Sequence, residues 1–249
     1  MILYSIGSNL TDIQFLFIDL GLISVTAFFF GRTSSAPSLK AKTPPPNSLI
    51  APGPVISLSF HLLIIISVQV ISWIHMQSEP WFEPFDVTEL DGEYVLPCFE
   101  NYTIFVVSSF QYLILAFVFS EGRPHRKQMV SNIPLVLCLA FNAALILYVA
   151  AGPNDDFSKF VGLKTPPEFG FRAWLVGYGL ANLLVAVIAE SFIFPKIFRN
   201  RKGPEREFEK VEKIMDSDRK WPPISMEATD LEGSFHLENE KETYKFVDC

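Results

Sequence analysis

Apolar residues along this chain fall into five long runs, at about 13–30, 54–75, 103–119, 131–151 and 173–194, separated by stretches rich in charge and proline. At about 1.5 Å per residue, each run is long enough as a helix to cross an apolar layer of about 30 Å. Within each run the apolarity extends around the helix instead of forming one stripe, as lipid requires and a soluble bundle does not. The pattern predicts an all-α fold: a multi-pass transmembrane bundle of five spans. Residues 1–12 form a short segment before it, and 195–249 a largely disordered tail after it.

Composition agrees with this reading. The chain is 49% hydrophobic and only 19% charged, and its mean hydropathy of +0.29 is too high for an ordinary water-soluble domain. The net charge of −7 is unevenly distributed. Arg32, Lys40 and Lys42 lie between the first two runs, and Arg123, Arg126 and Lys127 between the third and fourth. The loop at 76–101 has no lysine or arginine but carries Glu79, Glu83, Asp86, Glu89, Asp91, Glu93 and Glu100. The positive-inside rule then places the two basic loops in the cytosol and the acidic loop in a lumen or outside the cell. The basic cluster Lys196–Lys202 places the C-terminus in the cytosol and suits anionic lipid headgroups.

Five spans with a cytosolic C-terminus leave the N-terminus lumenal. Met1-Ile2-Leu3-Tyr4 has no basic n-region, so earlier helices are expected ahead of this sequence. Trp73, Trp81, Tyr102 and Trp174 fall near the lumenal boundary, where an aromatic belt anchors a bundle. Asn9-Leu-Thr11 and Asn101-Tyr-Thr103 fit the glycosylation sequon on that side. Cys98, Cys138 and Cys249 occupy three different environments, so no internal disulfide is expected. A stiff proline-rich connector is expected at 31–53 and a short charged helix at 205–213. Tyr244-Lys-Phe-Val247 has the form of a tyrosine-based sorting signal.

The chemistry concentrates in the first run. Asp12 and Asp19 are seven residues apart, so on a regular α-helix they share one face about 10 Å apart along the axis. Asp19 lies well inside the apolar run, where a carboxylate is costly and marks an ion or substrate path, or else serves a helix–helix hydrogen bond when protonated. Two carboxylates so far apart cannot close on one metal ion, and an elongated polycation suits them better. Phe15, four residues before Asp19, shares its face and could cover methylenes or meet a cation. His61, Gln69, Ser108, Ser109, Gln111, Asn142 and Asn182 read as helix-packing contacts. Nothing in the sequence suggests a nucleic-acid partner, a metal site or a catalytic nucleophile.

Several stretches together resemble a known family. The stretch from Ile2 to Asp19 resembles the end of the fifth and the start of the sixth transmembrane helix of polyamine-transporting P-type ATPases of subfamily 5B. Gln77–Pro84, Pro97–Thr103, Ser108–Leu115, Glu190-Ser191 and Trp221-Pro-Pro223 follow in the same order. The resemblance implies an ATP-driven pump carrying polyamines from lumen to cytosol in late endosomes and lysosomes. Asp19 and Phe15 would lie in its substrate groove and Asp12 at the lumenal mouth. The family's Asp-Lys-Thr-Gly phosphorylation motif has no counterpart here, so ATP and Mg²⁺ would be bound in cytosolic domains outside this sequence. This leaves no catalytic residue in the chain, whose partners would be a polyamine, lipid and the rest of the pump. The alternative is a self-contained multi-pass scaffold or assembly subunit.

The charge asymmetry makes a direct prediction. In sealed vesicles, an epitope tag inserted in the 76–101 loop should be protected from protease added on the cytosolic side, and tags at residue 45 and after Asp248 should be digested. Protection of the tag at 45 would refute the orientation.

Overall fold

The computed structural model describes residues 2–36, 52–85, 97–120 and 126–194. Helices account for its regular structure, with no strand among the described residues. In chain order they are α1 (Ile2–Ser5), α2 (Asp12–Gly31), α3 (Pro52–Gln77), α4 (Phe99–Val118), α5 (Ile133–Ala151), α6 (Asp155–Val161) and α7 (Phe169–Ile193). The five long ones, α2, α3, α4, α5 and α7, are the apolar runs of the sequence, and each is long and apolar enough to cross a membrane.

Local chemistry sets the helix starts. Thr11 and Gln14 form a capping box at the start of α2, Cys98 caps α4 through the Asn101 amide, and Asn132 and Asn154 cap α5 and α6. Pro134 occupies the first turn of α5, where its missing N–H costs nothing.

The central helix is α4. More than half of its apolar window is buried, against a third or less for the other four spans, and it touches all of them. Lipid is as apolar as leucine, so packing and polar contacts between helices hold such a bundle together. Tyr102, fully buried, donates from its hydroxyl to the Val149 carbonyl at 2.8 Å. Thr103 donates to the Met76 sulfur at 3.1 Å. Gln69 donates to Ser108 at 3.2 Å and to Gln111 at 2.9 Å, and Gln111 donates to the Ile65 carbonyl at 3.0 Å. The Phe110 ring of α4 lies against Gly179 of α7, where an added Cβ would come within 3.0 Å of it.

These contacts group the helix ends. The starts of α2, α4 and α7 meet the ends of α3 and α5 at one end, with Glu79 and Glu83 just beyond α3. At the opposite end Asn132, starting α5, donates to the Phe29 carbonyl of α2 at 2.7 Å and to Thr33 at 2.9 Å. There also Arg126 lies over the Phe30 ring, and Ser57 of α3 reaches Glu190 of α7. The spans therefore alternate in direction, with Glu79, Glu83 and Glu100 near one end and Arg32, Arg126 and Lys127 near the other.

Two expectations need correction. Tyr102 is buried in the helix core and anchors no interface, because its hydroxyl satisfies the carbonyls at the end of α5; of the four aromatics, Trp174 is the exposed one, at 59%. Asn101 is fully buried and donates to the Asn9 carbonyl at 2.6 Å, so the folded protein offers no glycan acceptor there, whereas Asn9 is exposed. Much of the proline-rich connector, the acidic stretch 86–96, the cluster Lys196–Lys202, the helix expected at 205–213, the Tyr244 signal and Cys249 lie outside the described residues.

One turn fastens α6 to the start of α2. Thr11 donates to the Val161 carbonyl at 2.7 Å, and Gln14 to the Gly162 carbonyl at 3.3 Å. Gly162 ends α6 with φ +70°, and a Cβ there would lie 2.5 Å from the Thr11 methyl. Gly162→Ala is expected to cost about 1–3 kcal/mol, from backbone strain and the clash together. Adding Thr11→Ser should restore part of it by removing the methyl. Unfolding of the purified variants in mixed micelles measures both effects, and an unchanged midpoint for Gly162→Ala would contradict the packing.

Candidate functional site

The first span is not a uniform α-helix. It runs as α-helix from Asp12 to Leu16, widens into a π-helix over Phe17–Ser24, and returns to α-helix from Val25 to Gly31. The wider hydrogen bonding, seen in Val25 N–H donating to the Leu20 carbonyl, replaces the i→i+4 ladder expected from the sequence. Ser24 adds a side-chain hydrogen bond to the Asp19 carbonyl at 2.6 Å. The two standard turns between Asp12 and Asp19 assumed from their spacing are therefore not what separates them.

Asp12, Phe15 and Asp19 nevertheless all lie on the exposed side of α2. Its buried stripe is Gln14, Ile18, Leu22 and Thr26. Gln14 is held by α6, Phe17 beside the stripe meets the Phe105 ring edge-on at 5.9 Å, and Thr26 lies 3.7 Å from the Cys138 sulfur of α5. The stripe thus turns the two carboxylates outward, away from the helices of this chain. Neither has an ion-pair partner among the described residues. Asp12 lies in the first turn of α2, where the helix dipole favours a negative charge.

Phe15, 41% exposed, also borders a cavity of about 570 Å³ between α1, α2, α3 and α4. Ser8, Asn9, Gln69 and Ser108 give it a partly polar wall. Of the polar groups read as packing contacts, Gln69, Ser108 and Gln111 do bridge α3 and α4. Asn142 bonds within its own helix, to the Cys138 carbonyl at 2.9 Å. Burial pushes the Cys98 thiol, just before α4, above its ordinary value and so disfavours a thiolate nucleophile, although the Ser8 hydroxyl 3.4 Å away acts in the opposite direction.

A second ionisable group was not legible as a unit. His61, read as a packing residue, pairs with Glu190 of α7, 129 positions away, at 3.1 Å. Ser57 donates to the same carboxylate oxygen. The available signal was one histidine and one glutamate, each in the half of its run nearer the basic-loop end. Glu190 lies in a second π-helical segment, Ala189–Ile193, so both π segments carry a carboxylate.

No family model matches the chain. Its sequence is similar to the human polyamine-transporting ATPase 13A2, with 30% identity over 230 residues, covering 90% of this chain and 19% of that protein. It is also similar to the probable cation-transporting ATPase catp-6 of Caenorhabditis elegans, with 36% identity over 186 residues, covering 75% and 15% respectively. A third relative, the polyamine-transporting ATPase 13A3 of Macaca fascicularis, is 28% identical over 261 residues, covering 93% and 21%. The chain thus spans between 15% and 21% of the length of these relatives.

Proposed function

We propose that this chain, a homologue of the C-terminal membrane portion of the subfamily 5B P-type ATPases, serves as the membrane part of an ATP-driven polyamine transporter in which α2 forms one wall of the substrate path. The carrying observation is the outward face of α2, where the Asp19 carboxylate stands in an apolar span with no hydrogen-bond or ion-pair partner among the described residues. Leaving an ionised carboxylate in lipid at mid-span costs about 2.5–3.5 kcal/mol or more. A cation, or protein that lines a watery path, removes that cost. A polyamine suits the face because its ammonium groups are spaced along a chain of methylenes. Asp19 binds one ammonium, Phe15 covers the methylenes beside it, and Asp12 attracts the cation at the mouth.

Transport runs from lumen to cytosol in this reading, in late endosomes and lysosomes, with the acidic loop lumenal and the cluster Lys196–Lys202 at the cytosolic leaflet. The relatives' names, polyamine- and cation-transporting ATPases, support the substrate class. ATP and Mg²⁺ act outside these 249 residues, which contain no Asp-Lys-Thr-Gly motif, and no step of ATP hydrolysis is assigned to them. The remaining spans hold α2 in place through α4.

The test is a chimeric pump in which this chain replaces the matched segment of a relative, assayed for spermine-stimulated ATP hydrolysis. Asp19→Asn should lower the maximal rate at least about tenfold, because the low dielectric around it strengthens the lost attraction. Asp12→Asn should mainly raise the half-saturating spermine concentration a few-fold, since salt and water screen a boundary charge. Unchanged rate and affinity in a correctly folded Asp19→Asn pump would refute the proposed groove.

A further inference from the structure

Helices α4, α5 and α7 touch one another in all three pairs. Toward the end of Glu79 and Glu100 the packing is close: Ile146, Ala150, Phe171 and Leu175 are at most 2% exposed, and Tyr102 of α4 binds the carbonyls that end α5. Toward the other end α5 and α7 are tied to different neighbours. Asn132 and Cys138 meet Phe29 and Thr26 of α2, whereas Glu190 of α7 meets Ser57 and His61 of α3. With α4 between them, a groove of about 380 Å³ is left among the three helices.

The groove runs from Phe117 and Met129 to Leu147 and Val176, and every side chain that lines it is apolar. Ala140, Ala143 and Gly179 leave room that larger side chains would fill. Water gains no hydrogen bonds in such a space and leaves it dry. All three helices are membrane spans, so hydrocarbon surrounds the opening. A further helix does not fit, since a cylinder about 10 Å across needs roughly 1,200 Å³ for ten residues. From Val136 to Leu147 the groove extends about 16 Å, near half of the hydrocarbon layer. Its mean section is then about 24 Å², the width of one hydrocarbon chain at carbon contact distances of about 4 Å.

The mouth is positive. Residues 121–127 carry Arg123, Arg126 and Lys127 against Glu121. Lys127 stands two residues before Met129, is exposed, and has no ion-pair partner among the described residues. Its backbone N–H donates to the Ser34 carbonyl at 3.0 Å, which fixes the base of its side chain at the end of the spans. Charge and shape together describe an anionic headgroup on a hydrocarbon chain.

We propose that the groove among α4, α5 and α7 binds one acyl chain of an anionic phospholipid, with Lys127 meeting the headgroup phosphate. The lipid comes from the leaflet at the basic-loop end. Its chain supplies the contacts that α5 and α7 cannot give each other while each is tied elsewhere. The site lies apart from the carboxylate face of α2 and does not depend on the polyamine reading.

The experiment photolabels the full 249-residue chain in phosphatidylcholine nanodiscs that contain a small fraction of phosphatidylserine with a diazirine in mid-chain, followed by peptide mapping. Adducts are expected on 110–117, 136–147 and 176–183 in excess of those on the exposed Leu62 and Leu63 of α3. A diazirine phosphatidylcholine should label the groove about fivefold less, the share of one surface lysine, and Lys127→Gln should remove most of that preference. Ala143→Leu, which fills the groove, should suppress its adducts and spare those on α3. Groove labelling no stronger than that of α3, equal labelling by the two lipids, or an undiminished preference in Lys127→Gln would overturn the proposal. So would undiminished groove labelling in a folded Ala143→Leu. If that variant does not fold, the wild type decides, with unlabelled phosphatidylserine replacing phosphatidylcholine at a fixed probe fraction. Loss of the groove adducts alone supports the site, and an equal response of groove and α3 overturns it.

Discussion

A carboxylate inside a hydrocarbon layer must be met by a proton, a cation or a set of hydrogen-bond donors, and this constraint orders the bundle. Three of the four acids in the described spans stand in three different relations to it. Glu100, 2% exposed in the first turn of α4, is met only in part: Oε1 accepts the Phe85 backbone N–H at 3.0 Å and the helix dipole favours its charge, while Oε2 has no hydrogen-bond partner among the described residues. Glu190 is met by Ser57 and His61 across the α3–α7 contact. Asp19, like Asp12 at the start of the same helix, is turned away from its own bundle, and this sets it apart from the structural acids.

That outward orientation depends on the opposite face of α2. Gln14, Ile18, Leu22 and Thr26 are buried, and they fasten the helix to α6, α4 and α5. The fully buried half of α4 gives this stripe something rigid to lean on, with Tyr102 and Thr103 tying it to the ends of α5 and α3. Widening of α2 into a π-helix at Phe17–Ser24 places a local change of backbone at Asp19 itself, and such segments recur at functional sites. A bundle made in this way holds one face of one helix available while the rest stays packed.

The five spans were legible because lipid imposes a simple rule on sequence: about twenty residues without charge, helical because the backbone must bond to itself. The exposure of Asp12, Phe15 and Asp19 on α2 agrees with the spacing, although the regular helix assumed for it does not hold. A π segment depends on how the whole span packs, and nothing in Phe17–Ser24 announces it. Tyr102 and Asn101 were misread for a related reason. At the end of a span, an aromatic or an asparagine looks like an anchor or a sequon until the neighbouring helix is known. The His61–Glu190 pair escaped because its partners are 129 positions apart and each alone resembles an ordinary packing residue.

The central claim is that the outward face of α2 meets the polycation directly. Photo-crosslinking with a diazirine-bearing spermine analogue in the chimeric pump, followed by peptide mapping, tests it most directly. The account predicts adducts within Asp12–Ile23, centred on Phe15 and Asp19 and suppressed by excess spermine. Specific adducts elsewhere in the chain, with none on α2, would contradict it.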